Sequence, residues 1–218
     1  MPRKPAAKAA KAAKAAKGAA AGARPDDVRR AVLDAALALL REEGIGAVTL
    51  RAVGKRAGVS RNAPYWHFES KEALLAAVAE EGFRSLSGVM AREVSPVREP
   101  RAKLEAAALA YVRFASQYPD HYRVMFARST SRRHEHPMLL VAATSALSGL
   151  AEKVVSCQRE GLICEAPVMP IVLGLWALEH GLAMLMVDRQ LESLLTGTGS
   201  AEDIIRAAVR TYLDGLAP

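Results

Sequence analysis

Cysteine is almost missing from this chain: Cys157 and Cys164 are the two among 218 residues. No disulfide framework can be built on them, and a reducing compartment suits the composition. Catalytic signatures are missing too. There is no glycine-rich phosphate loop, no zinc-ligand triad and no nucleophile elbow, and His and Cys are scattered. His134 and His136 sit beside Arg132 and Arg133 with no third ligand nearby in sequence, which argues against a metal site. The expectation is a protein that is not an enzyme and holds no metal or cofactor. No window alternates apolar and polar residues as a strand does. The basic N-terminus lacks the continuous apolar stretch of a signal peptide. The most apolar window, Val168 to Val187, carries Glu179 and His180 at its middle, which favours a buried helix over a lipid-spanning one. A cytoplasmic protein without a membrane segment is expected.

What is present is apolar and helical. Hydrophobic residues make up 51% of the chain and charged ones 24%, enough for one large or two small cores and too much for a disordered, collagen-like or disulfide-stapled chain. The formal charge of +7 is localised. Arg3, Lys4, Lys8, Lys11, Lys14, Lys17 and Arg24 contribute 7 positive charges to residues 1–24 with no acid, so the other 194 residues carry 23 basic and 23 acidic groups. Residues 5–23 repeat Lys with Ala-Ala. A period of three does not match the helical 3.6, so residues 1–24 read as a flexible basic arm, able to attract DNA without reading it.

Helical signals then follow one another. Pro25, Asp26 and Asp27 suit a helix start, Val28, Val32, Ala35 and Leu39 form its stripe, and Gly44 stops it. Thr49 caps a short helix from Leu50 to Ala57, Gly58 breaks it, and Ser60 caps another from Arg61 to His67. A long helix begins at Ser70, with Leu75, Val78, Gly82, Leu86 and Val89 facing inward, and Pro96 and Pro100 close it. Beyond it come a helix bearing Leu104, Ala108, Tyr111 and Ala115, a short one from Pro119 to Phe126, a basic loop from Ser129 to Pro137, and a stripe of Leu139, Ala143, Leu147, Leu150, Val154 and Cys157. A nearly all-apolar helix spans Pro167 to Gln190. A polar loop, Leu194 to Ser200, precedes a last amphipathic helix carrying Ile205, Ala208, Tyr212 and Leu216. The fold class is all-α, about nine helices: a three-helix helix-turn-helix domain over 25–75, a connecting long helix and linker over 76–100, and a helical bundle over 101–218.

Two short helices around Ala57-Gly58-Val59 make a helix-turn-helix unit, whose second helix projects its N-terminal side chains into a major groove. Arg61 can grip guanine O6/N7 and Asn62 can pair with adenine N6/N7. Arg51, Lys55, Arg56, Arg61 and Lys71 against Glu69 give a local charge of +4. Pro64 fits only an early helical position, which implies a very short reading helix beginning at Ser60.

Residues 28–75 resemble the TetR family of bacterial transcriptional regulators. The likeness lies in Ala35-Ala36, Glu43-Gly44, Thr49, Ala57-Gly58-Val59-Ser60, Tyr65-Trp66-His67-Phe68 and Ser70-Lys71-Glu72-Ala73-Leu74-Leu75. It implies a homodimer binding a double-stranded DNA operator, with Arg51, Arg61, Asn62 and Ala63 facing bases and Thr49, Tyr65, Trp66, His67 and Lys71 on phosphates. Phe68 reads as core. Gly54 stands where a bulky apolar residue is expected, and a loosened first short helix would follow. Tyr118-Pro119-Asp120-His121-Tyr122, Met125-Phe126 and Trp176 with His180-Gly181 resemble the branch of the family with a Trp…His-Gly signature.

The resemblance also implies an effector pocket in the C-terminal half. Val172, Trp176, His180 and Met184 form one i+4 row that reads either as core or dimer seam, or as a wall for a small apolar effector with His180 or Glu179 as polar anchor. Tyr111, Phe114, Met125, Phe126 and Met138 could complete that wall. Cys157 reads as inert core. Dimerisation is expected through 167–190 and 201–216, which would hide excess apolar surface. The leading expectation is a repressor released by a ligand. A ligand-independent architectural or activating DNA binder that uses the basic arm is the alternative.

Overall fold

The computed structural model describes residues 24–191 and 200–218. The basic arm up to residue 23 and most of the loop expected before Ser200 lie outside the described residues. Nine α-helices, two 3-10 turns and no strand occur among the described residues. They divide into two compact units. The first runs to Val78 and includes Arg128–Thr130, and the second comprises Ala79–Ala127 and Ser131–Pro218.

In the first unit, α1 spans Pro25–Glu43, α2 Leu50–Arg56 and α3 Ala63–His67, and α4 begins at Lys71. Pro25 occupies the first turn of α1, where its missing N–H costs no helical bond, and Asp26 and Asp27 face the positive end of the helix dipole. Val32, Leu33, Ala36 and Leu39 carry α1 into the core. The Thr49 hydroxyl accepts the Ala52 N–H at 3.1 Å and caps α2. Gly58 has φ +68°, the left-handed conformation that lets the chain turn sharply between the two short helices.

Two expectations about this turn need correction. Helix α3 begins at Ala63, because Arg61 and Asn62 form a turn closed by the Ala63 N–H on the Ser60 carbonyl at 3.1 Å. Pro64 lies in the first turn of α3, as its ring demands. Gly54 does not loosen α2. A Cβ at Gly54 would stand 2.8 Å from Pro64 Cγ, so the proline ring fills the space that a larger side chain would take.

Helix α4 spans Lys71–Val94; its residues up to Val78 belong to the first unit and the rest to the second. The second unit continues with α5 (Pro100–Gln117), α6 (Pro119–Met125), α7 (Pro137–Arg159), α8 (Val168–Val187) and α9 (Ala201–Asp214). Helix α5 is central and packs on α6, α7, α8 and α9. Leu104, Ala107, Ala108, Ala110, Phe114 and Ala115 on it are fully buried, small residues letting the neighbouring helices approach. Gly174 gives α8 a notch for the Tyr212 ring, whose hydroxyl donates to the Ile171 carbonyl at 3.1 Å. Helix α8 stops at Val187 rather than Gln190, and Arg189 turns the chain with φ +55°. Ser200 caps α9 by accepting the Asp203 N–H at 3.2 Å. By length and composition α7 and α8 could each cross a membrane; α8 instead packs against α5, α7 and α9 and buries Glu179.

Candidate functional site

Two sets of side chains invite partners, one in each unit. In the first, the turn before α3 and the outer face of that helix present Arg61, Asn62, Tyr65 and Trp66 to solvent. Trp66 is 80% exposed and Tyr65 53%, an uncommon placement for aromatic rings. Phe68 is the one aromatic turned inward, 5% exposed, with the Arg29 guanidinium 5.6 Å from its ring centroid. Arg51 and Thr49 are exposed at the start of α2, and His67 is half-buried at the end of α3.

Three sequence readings change here. Ala63 is 6% exposed, so its methyl serves the core and is not available to face bases. Lys71 Nζ donates to the Ile45 carbonyl at 2.7 Å, pinning the loop after α1 to the start of α4 while leaving two N–H groups free. Arg56 makes a two-pronged ion pair with Glu42 across 14 residues, which raises its pKa and removes it from the available charge. Arg51, Lys55 and Arg61 form no ion pair among the described residues and carry the patch instead.

The second unit holds a cavity of about 200 Å³ between α4, α5, α7 and α8. Phe83, Leu86 and Met90 of α4 form one wall and Leu140, Ala143, Thr144, Ala146, Leu147 and Leu150 of α7 another. Tyr111, Phe126, Trp176, Arg133 and Glu179 complete it. Of the expected wall, Tyr111, Phe126 and Trp176 are present. Phe114 and Met125 are fully buried core residues, and Met125 fills the notch at Gly82. Met138 is 53% exposed and faces away. His180 and Met184 do not line the cavity. On α8, Glu179 and His180 fall on opposite sides of Trp176, about 60° one way and about 40° the other. The cavity lies toward Glu179, and His180 turns to Tyr111 and Tyr122.

Arg133 had no sequence signal. It lies in a stretch that reads as a polar loop and instead forms a 3-10 turn, Arg133–Glu135. Its guanidinium sits 5.0 Å from the Phe83 centroid and 5.8 Å from that of Phe126, and Nη2 donates to the Met125 carbonyl at 3.1 Å. Nε is buried without a partner, and desolvation lowers the guanidinium pKa. Glu179 is 1% exposed, and its Oε1 likewise has no partner. Burial raises its carboxyl to about 8 against the opposing pull of Lys153. The carboxyl is therefore predominantly neutral at pH 7.

Beside the cavity lies a closed polar cluster. The Tyr122 hydroxyl is 2.6 Å from His180 Nδ1, and the Tyr111 hydroxyl is 3.2 Å from both. Burial raises both phenols and lowers His180, so the phenols stay protonated and the imidazole neutral. Tyr122 then donates to Nδ1, which fixes the His180 proton on Nε2. His180 is thereby a hydrogen-bonding partner of two tyrosines. Cys157 is buried and its thiol is pushed up to about 11, which keeps it unreactive.

Known proteins carry the same architecture. The chain is 27% identical over 191 residues to the HTH-type transcriptional regulator YobS of Bacillus subtilis (strain 168), covering 86% of this chain and 92% of that protein. It is 51% identical over 57 residues to the class A tetracycline repressor of Escherichia coli, a match that spans 26% of this chain and 24% of the repressor. A solved structure from Rhodococcus sp. RHA1, of a protein of unknown function, superposes with a TM-score of 0.77 at 29% identity, covering 88% of this chain and 96% of the other. A tetR-family regulatory protein from Rhodococcus RHA1 gives a TM-score of 0.68 at 19% identity over 87% and 97% of the two chains, a likeness of fold. Residues 32–78 match the family model for bacterial regulatory proteins of the tetR family, and residues 104–212 match the tetracyclin repressor-like C-terminal domain. With one match over the helix-turn-helix and another over half of the 218 residues, this chain belongs to the TetR family of DNA-binding transcriptional regulators.

Proposed function

We propose that this regulator is a cytoplasmic homodimeric repressor, without catalytic activity, that a small molecule releases from its operator. The observation that carries this reading is the extent of α4. The helix begins at Lys71 in the helix-turn-helix unit and, through Phe83, Leu86 and Met90, walls the cavity of the other unit. A ligand that prefers one setting of those three side chains shifts the population of α4 settings, and operator affinity shifts with it.

On DNA, Arg61 and Asn62 read base edges from the tip of α3, with Arg51 beside them. Tyr65, Trp66, His67, Thr49 and the free N–H groups of Lys71 hold phosphates and set the register. The exposure of Trp66 and Tyr65 supports this division, since neither ring has a folding role. Two subunits pair through α8 and α9. Met169, Leu173, Ala177 and Gly181 recur every four residues on the exposed face of α8 and offer a partner helix an apolar or small-residue row.

The test is binding of residues 25–218 to DNA from upstream of the protein's own gene, against a scrambled duplex, at physiological ionic strength, where loose charge attraction is damped. A strong preference for the upstream duplex is the expected result and supplies the assay for release by ligands. Equal weak binding to both duplexes, restored to high affinity only by adding residues 1–24, would replace this reading with a binder driven by its basic arm.

A further inference from the structure

Two polar groups in the apolar cavity are left incomplete by the fold. The Arg133 guanidinium is held over Phe83 and Phe126, with its buried Nε–H unpaired and no carboxylate beside it among the described residues. Glu179 presents an unpaired Oε1 from the opposite helix system, α8. The two do not neutralise each other. They form no ion pair, and Glu179, fully buried, holds its proton at neutral pH. The cavity therefore carries the fixed positive charge of Arg133 without a compensating negative one. A partly desolvated guanidinium with a buried, unpaired Nε–H gains from an anion that arrives to pair with it.

We propose that the cavity receives an amphipathic monoanion, whose acid group pairs with Arg133 and whose apolar body lies along Leu86, Leu147 and Trp176. This rests on reading the cavity as the effector site and adds the chemical class of the effector. The Arg133 Nε–H is a charge-assisted donor for a carboxylate, and the guanidinium is already oriented by its two aromatic neighbours and by the Met125 carbonyl. The neutral Glu179 carboxyl adds a place for a hydroxyl or carbonyl on the ligand body, because it can donate and accept. An organic cation meets the opposite conditions: a fixed like charge and no ionised carboxylate. The size is adequate. An engineered apolar cavity of about 150 Å³ admits benzene, and this one holds about 200 Å³.

Calorimetric titration of the full chain with three probes of one body separates the possibilities: octanoate, 1-octanol and octyltrimethylammonium, each below its micellar concentration. Octanoate should bind about tenfold or more tighter than octanol, and the ammonium weakest. Arg133→Gln should remove the octanoate advantage while leaving octanol binding in place, and Arg133→Lys should keep part of it. Leu147→Trp, which fills the cavity, should abolish binding of all three. An ammonium probe that binds as tightly as octanoate, or an octanoate affinity unchanged in Arg133→Gln, overturns the assignment of an anion. Octanol binding without a carboxylate preference rejects the ligand class alone. If none of the three probes binds, the effector reading of the cavity fails with it.

Discussion

Glu179 allows an unusually direct test of the buried electrostatics. Its carboxyl is 1% exposed, and burial raises its pKa from 4.5 to about 8. The native state thus holds this proton more tightly than the unfolded chain does. The contribution to stability is fully present below about pH 4.5 and is lost as the pH rises through about 8. Worked through the linkage relation, the loss is about 3 kcal/mol between pH 5 and pH 8, about half of it above pH 6.5. His180, lowered by burial, acts with the opposite sign on the acid side. Lys153 and the Tyr111 and Tyr122 phenols are further titratable groups that interact with Glu179. Comparing the wild type with Glu179→Gln cancels these neighbours, because the amide is similar in shape and does not titrate. Urea unfolding at fixed protein concentration, at pH 5, 6.5 and 8, gives the stability difference at each pH. The variant should gain on the wild type by about 3 kcal/mol across that range, whatever constant offset the amide introduces. Parallel curves, with a difference constant to within about 0.5 kcal/mol, would refute the claim that this carboxyl is buried in its neutral form.

Four further predictions concern the helix-turn-helix unit and the dimer. Arg61→Ala should cost about 1–3 kcal/mol at the operator and relax one base position, whereas Lys71→Ala should weaken all DNA alike; an unchanged ratio of operator to random affinity in Arg61→Ala would reject the reading-tip assignment. Lys71→Ala should also lower the melting temperature of the first unit, since the bond to the Ile45 carbonyl goes with it. Gly54→Ala should destabilise that unit by about 1–2 kcal/mol through overpacking on Pro64, yet become stabilising when Pro64→Ala is present, a coupling that a double-mutant cycle of melts would detect. Leu173→Arg, on the exposed face of α8, should sediment as a monomer and lose operator binding, and a persistent dimer would place the subunit contact elsewhere.

The helices were legible because their signals are local. Pro25, Thr49, Gly58 and Ser200 mark starts and stops by backbone chemistry that no tertiary contact overrides, and the stripes on α1 and α7 follow the helical period. The shared exposure of Arg61, Asn62, Tyr65 and Trp66 was legible for the same reason, since they lie within a few residues of one turn. The cavity was harder. Its walls come from four helices, and on α8 the cavity lies on the Glu179 side of Trp176 rather than the His180 side, which the i+4 pattern does not reveal. Arg133 was invisible, because a charged residue among Arg132, His134 and Glu135 gives no sign of turning inward over two aromatic rings. Ala63 shows the converse limit. A short helix of five residues has few positions on each face, and a register difference of one residue moves a side chain from groove to core.

The fit of Pro64 into the notch at Gly54 bears on how such proteins diversify. A reading helix is often treated as an interchangeable cassette, to be exchanged between scaffolds to redirect specificity. Here the cassette carries its own shim: the proline ring belongs to α3, while the space it occupies belongs to α2. Grafting a different α3 onto this scaffold without Pro64 would leave a hole behind the reading face. Grafting this α3 onto a scaffold with a bulky residue in place of Gly54 would push the face outward. The two positions should therefore change together among descendants of this gene, and any redesign of its operator preference has to move them as a pair.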